Sequence, residues 1–266
     1  MTPEELMGAR QSYAYVPARL VVAESGALQA VGLTLDVDLP RGWPGMTARE
    51  RGGYSSIKLD RFHEELLNSS NDSALVHGLL SVRFWGVVSG TDGRLREALA
   101  MRRTRWVIEG KAKGSPQPVR EIVSHLRSAR SFLASDRPAQ ALLAVLNIDH
   151  FGMSFASKVV AFMNPEIAAV YDQVISERLR LAQDHGLREA YVSVKPAASK
   201  REQRRQAEKY EQWCRLCTAK GKELVQAGHT WQDWNGDRHR WRAIDVERAY
   251  FALGKSGEKA DVSLAR

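Results

Sequence analysis

Four groups of residues in this chain have types and spacings that could do chemistry. The first is Asp172, reached through the apolar run Ala168-Ala169-Val170-Tyr171 and followed by a helical pattern. A carboxylate at a helix start can cap free N–H groups, worth about 1 kcal/mol. Held ionised beside a substrate, it can also stabilise a developing positive charge and orient or deprotonate water. The second is Lys158, upstream of it. A lysine amine can attack a carbon centre, but on a helix surface it is commonly a solvated or phosphate-facing cation. The third is the turn Asp149-His150-Phe151-Gly152, with Gly152 where a left-handed or crowded backbone is expected. Ser154 is placed to cap the following helix, whose free N–H groups and dipole could hold a phosphate. The fourth is the pair Cys214 and Cys217. Two thiolates without a second pair close neither a tetrahedral zinc site nor an iron–sulfur cluster. They read as ordinary helix cysteines, and neither metal nor other cofactor is expected.

The elements that must position these groups are legible around them. Pro138 to Leu146 opens with a proline suited to a first helical turn and carries apolar residues at helical spacing. Phe155 to Phe162 repeats that spacing, and Asn164-Pro165 breaks it before Asp172. Residues 138–163 therefore read as two helices joined by a tight glycine turn.

This order resembles the helix-hairpin-helix DNA glycosylase superfamily, in which a hairpin is followed by a helix, a Pro-containing break and an apolar approach to an essential Asp. It is most similar to the bacterial 8-oxoguanine glycosylase-like branch, which includes members implicated in defence against phage with modified bases. The resemblance covers about residues 138–181, with a looser echo at Trp241-Arg242-Ala243-Ile244-Asp245-Val246-Glu247-Arg248-Ala249. It implies an enzyme that flips a modified base out of double-stranded DNA and hydrolyses its N-glycosidic bond, with Asp172 stabilising the charge at C1′. Bifunctional members carry a nucleophilic lysine four residues after the first hairpin glycine. That position is Ala156 here, and Lys158, two residues on, is turned by about 200° on a helix. Two arrangements are open. Either the turn is longer and Lys158 is the nucleophile of a glycosylase/lyase, or Lys158 is a solvated lysine and the product is an intact strand with an abasic site. The spacing favours the second, and with it the antiviral group that removes modified, glucosylated hydroxymethyl cytosine. A non-catalytic helix-hairpin-helix module that only binds DNA, and a helical scaffold docking a protein through its tryptophan-rich loop, remain the rivals from other classes.

DNA contacts are expected from His150, Phe151, Gly152 and Ser154 at the turn, and from the cluster Arg102, Arg103, Arg105, with Lys111 and Lys113 after it. A solvated face is the default for such a cluster, and the hairpin makes phosphate contact credible. Trp231 and Trp234, set among Gly, Asn and Asp, are the first candidates for a base platform, then Trp85; Tyr171 and His239 follow.

The whole chain agrees with a helical enzyme. Its 266 residues, 44% apolar, suffice for a sizeable core, and a net charge of +8 favours a polyanionic partner. No long apolar run or leader-like start occurs, so a cytoplasmic protein away from membranes is expected, and a monomer. Residues 1–55 read as an N-terminal extension with short β-prone runs at Leu20–Val22 and Leu33–Val37 and a loop at Pro40–Gly45. Residues 56–266 read as a mainly α, bilobed helical domain. Its helices are expected near Ser56–Leu67, Ala74–Val88, Arg94–Ile108, Pro118–Leu133 and Lys200–Gln226, with a closing helix from Trp241 to Leu253 and a frayed tail from Gly254.

Overall fold

A computed structural model describes residues 2–13, 15–22, 28–32, 46, 48–88, 95–111 and 115–263. The fold is mainly helical. Helix α1 (Pro3–Ser12) is followed by the antiparallel strands β1 (Ala18–Val22) and β2 (Leu28–Gly32), with Ala18 opposite Gly32. Then come α2 (Ala48–Arg51), α3 (Ser56–Leu67), α4 (Asp72–Val88), α5 (Glu97–Glu109), α6 (Val119–Ala134), α7 (Pro138–Val145), α8 (Met153–Met163), α9 (Gln173–Leu181), α10 (His185–Glu189) and α11 (Lys200–Gln226). The pair β3 (Trp231–Gln232) and β4 (Arg238–His239) leads into α12 (Ala243–Ser263). The expected runs at Leu33–Val37 and Pro40–Gly45, and Lys113, lie outside the described residues.

Helix α4 is apolar on nearly every side, and it is accordingly the central element, packed against α3, α5, α6, α8 and β1. The approach of α3 depends on Gly78, where a Cβ would stand 2.9 Å from that of Leu66. The segment read as an N-terminal extension is part of the same core. Leu6 and Ala9 are buried where α1 lies along α12, and Trp85 donates from Nε1 to the Val16 carbonyl at 3.0 Å.

A buried ionic cluster fastens these ends together. Asp60 accepts from Arg248 Nη2 at 2.5 Å and Nη1 at 3.0 Å, and from Arg242 Nη2 at 2.5 Å. Asp245 accepts from Arg242 Nε at 2.7 Å and from Arg10 Nε and Nη2 at 3.3 and 3.2 Å. Asp233 completes the set by accepting from Ser55, from Ser56 and from the Ile57 amide. Burial would raise Asp245, but Arg242 and Arg10 outweigh it and hold its carboxyl at about 2.

Some boundaries differ from expectation. Helix α9, the pattern expected after Asp172, stops at Leu181 and is followed by the short α10. Helix α12 continues to Ser263 where a frayed tail was expected. Cys214 and Cys217 are free, buried residues of α11. Among the described residues no helix is long and apolar enough to cross a membrane.

Candidate active site

The segment that carries Asp172 has no regular structure, and two side chains and a backbone amide from three helices fix it. Ser157 Oγ of α8 accepts from the Tyr171 amide at 2.9 Å and donates to the Tyr171 carbonyl at 3.2 Å. Trp213 Nε1 of α11 donates to the Val170 carbonyl at 2.9 Å. The Ile244 amide, in the first turn of α12, donates to the Pro165 carbonyl at 3.2 Å. The Tyr171 hydroxyl, read as a possible base contact, is instead committed to backbone: it accepts from the Val192 amide and faces the Ala190 and Val192 carbonyls.

Asp172 itself is the N-cap of α9. Its Oδ1 accepts from the Ile175 amide at 3.2 Å, which leaves Oδ2 to face Lys158 Nζ at 3.6 Å. Both side chains are withdrawn from solvent, at 7% exposure for Lys158 and 17% for Asp172. The reading of Lys158 as a solvated lysine is therefore corrected. Helix α8 is buried from Ala156 to Met163, so it has no wet face for a lysine to use. Lys158 instead lies along the gap beside α4 and ends at the aspartate.

That gap exists because of Gly86. A Cβ there would be 2.7 Å from Cε1 of Phe155 and 3.2 Å from Cδ of Lys158. Tyr15 closes the same region: its hydroxyl donates to the Gly86 carbonyl at 3.3 Å, and its ring lies 4.5 Å from that of Trp85. Burial, and then the charge of Asp172, push the Tyr15 phenol up. Glu247, on α12, is buried, and burial and then the Asp172 carboxylate raise it well above the usual carboxylate range. The arrangement is an amine and a carboxylate facing each other, bordered by aromatic rings and by an acid biased to its neutral form. Chemically it could hold and attack an electrophilic carbon, with a carboxylate to balance the charge.

The turn ahead of α8 differs in detail from expectation. Gly152 is the N-cap, in extended backbone with φ −87° and no side-chain cap; Ser154 lies inside the first turn. The left-handed residue is His150, with φ +69°. Phe151 is buried edge-on to Phe155. Of the arginines on α5, Arg102 and Arg105 are exposed and Arg103 is half-buried. Lys111 Nζ sits 5.1 Å over Trp106, whose ring is 6.4 Å from His150, so this basic face does meet the turn.

Of the tryptophans named as a base platform, Trp231 and Trp85 are core residues, and Trp234 is half-buried against the core. Trp231 is 1% exposed, carries the Arg10 guanidinium on its face at 3.6 Å and donates to the Arg240 carbonyl. Trp234 donates from Nε1 to the Tyr13 carbonyl at 3.1 Å. Trp85 is buried like Trp231, edge-on to Phe162. His239 packs beside Trp231, with ring centres 5.2 Å apart. A polar loop gave no sign that buried charges of α1 and α12 lay beneath it.

Sequence reasoning missed Glu247, Tyr15, Gly86 and Arg83. Two left a signal. Arg83 is a strong charge inside the apolar stretch 74–88, and Glu247 belongs to the charge-dense run Asp245-Val246-Glu247-Arg248. Tyr15 left none. Among the described residues no group of three His, Cys, Asp or Glu side chains is placed to hold a metal ion. No family model, no curated protein and no solved structure matches the chain, so the function is read from this geometry and the residue pattern.

Proposed function

We propose that the chain is a DNA glycosylase that removes a modified base from double-stranded DNA, with Lys158 as nucleophile and Asp172 as its electrostatic partner. The observation that carries this reading is the withdrawn pair itself, Lys158 Nζ 3.6 Å from Asp172 Oδ2 behind the turn that precedes α8. A lysine is costly to hold away from water, and a site that does so beside a carboxylate is a candidate for chemistry. In this reading the turn and the N-terminus of α8 act as a helix-hairpin-helix grip on the DNA backbone. The flipped sugar presents C1′ to the pair. The Nζ lone pair forms the new bond to C1′, the glycosidic bond breaks, and its electrons leave with the base, which is protonated. Asp172 stabilises the positive charge at C1′, accepts the proton that the amine must lose and passes it to the departing base. The C1′–O4′ bond then opens as the nitrogen lone pair forms the C=N bond, and its electrons go to O4′, which takes a proton. The resulting sugar–lysine imine makes the enzyme a glycosylase/lyase. The buried Lys158 supports this over the water-attack reading that its spacing favoured.

The test is borohydride trapping on duplexes carrying 8-oxoguanine, uracil, hydroxymethylcytosine or its glucosylated form. A covalent protein–DNA adduct on one substrate, absent in Lys158→Met, is expected. Base release without an adduct would return the chemistry to water activated by Asp172. No release from any duplex, with DNA binding unchanged in Asp172→Asn, would leave a binding module.

A further inference from the structure

Arg83 is a buried cation that faces no anion among the described residues. It projects from α4 with 6% exposure, its Nε is enclosed without a hydrogen-bond partner, and among the described residues no carboxylate pairs with it. Its guanidinium lies 3.8 Å above the Phe155 ring and 5.6 Å from that of Phe151, which places it against the turn and the first turn of α8. Burial and then the charge of Arg103 lower it to about 10, so it is held in place against its own preference. A buried charge left unpaired in a folded chain is strongly unfavourable unless something else pairs with it. Three further features converge on the same spot. Helix α8 has no side-chain cap, and a Cβ on its exposed N-cap Gly152 would meet nothing within 4 Å. His150 is held left-handed, and burial, then the charges of Lys111 and Arg83, lower its ring from the ordinary histidine range against the opposing charge of Asp149.

We propose that Arg83 binds a phosphodiester of the DNA strand, its planar fork meeting two phosphate oxygens while the uncapped N–H groups of α8 face the same anion. Phe155 ties this site to the chemistry, because Lys158 Nζ is 5.7 Å from the centre of the ring that Arg83 covers. The phosphate is thus within a nucleotide's reach of the sugar at Lys158; that assignment rests on the glycosylase reading, whereas the anion site does not. Arginine suits this better than lysine, since the guanidinium stacks on the ring and presents paired donors.

The experiment is duplex binding by fluorescence anisotropy across a salt series, with thermal melting, for wild type and Arg83→Met. Methionine keeps the apolar stem over Phe155 and removes the charge. The slope of log K against log salt should become shallower by about 0.9, one phosphate contact. The melting temperature should hold or rise, because an uncompensated buried charge has been removed. An unchanged slope would overturn the proposal, and so would a variant that melts far below wild type or fails to fold, since Arg83 would then be structural. Base release by the wild type is scored separately. A shallower slope without release would retain the phosphate site and reject the glycosylase reading; release with an unchanged slope would do the reverse.

Discussion

Replacing Asp60 by Asn should destabilise the protein by about 3–5 kcal/mol, the cost of removing one partner from a buried ion pair. Asp60 is fully buried, and both its oxygens receive guanidinium donors, Oδ1 from Arg248 and Oδ2 from Arg242 and Arg248. An asparagine has nearly the same shape but one acceptor oxygen, so whichever way it is turned its NH2 group confronts an arginine N–H. It also leaves Arg10, Arg242 and Arg248 opposite only Asp245 and Asp233. Individual charged hydrogen bonds of about 1.5–3 kcal/mol are consistent with that total. At about 2–4 °C per kcal/mol for a chain of this size, the midpoint should fall by roughly 6–20 °C. Urea and thermal unfolding followed by circular dichroism would measure it. The exposed Arg127–Asp72 pair, at 2.6 Å and about half open to solvent on both sides, is the internal control. Asp72→Asn should change stability by less than about 1 kcal/mol. If Asp60→Asn also fell under 1 kcal/mol, the cluster would not be the buried anchor of α12, and the argument would be wrong.

Two further outcomes are expected. Gly86→Ala should gain about 1 kcal/mol of helix propensity but lose roughly 1–3 kcal/mol to the clash with Phe155 and Lys158. On the proposed glycosylase function its larger effect should be on base release, about 100-fold slower if Lys158 moves by an ångström; a rate within threefold of wild type would show that Gly86 does not set the position of Lys158. His63 is lowered to about 3 by burial, by His77 and by nearby arginines, and it remains neutral beside Ser81. Between pH 6.5 and 3 the unfolded chain therefore binds the extra proton. Stability from this group is present above pH 6.5 and falls by about 1.4 kcal/mol per unit as pH drops through that window. Unfolding curves at several pH values should show a flatter slope in His63→Gln, and an equal slope would refute the assignment.

The helices were legible where apolar spacing was dense. The Lys200–Gln226 boundaries coincide with α11, and Ala74–Val88 was recognisable as a central helix because nothing polar interrupted it but His77, Ser81 and Arg83. Asp172 was legible through its apolar approach and cap position. Lys158 was misread because a position count assumes a fixed turn, whereas its direction is set by which neighbours leave room, here Gly86 of α4. The tryptophans were misread for a related reason. A loop rich in Gly, Asn and Asp predicts exposure, but Trp231 and Trp234 are drawn inward by partners distant in sequence, Arg10 and the Tyr13 carbonyl. Long-range partners such as these leave no local periodicity to read.

The pairing of Arg10 with Asp245 spans 235 residues of chain. During synthesis at 5–20 residues per second, α1 therefore waits roughly 12–50 s before the helix that neutralises it is made. For that interval the arginine that ends on the face of Trp231 has neither ring nor carboxylate, and it must stay in water. Helices α4 to α8 can collapse around their own apolar faces before then, bringing Lys158 to its place. Glu247 and the strut from Ile244 to the Pro165 carbonyl arrive last. A ribosome-bound chain ending before α12 would thus carry the amine without the full enclosure that restrains it, so the candidate site comes into being only as the last long helix docks.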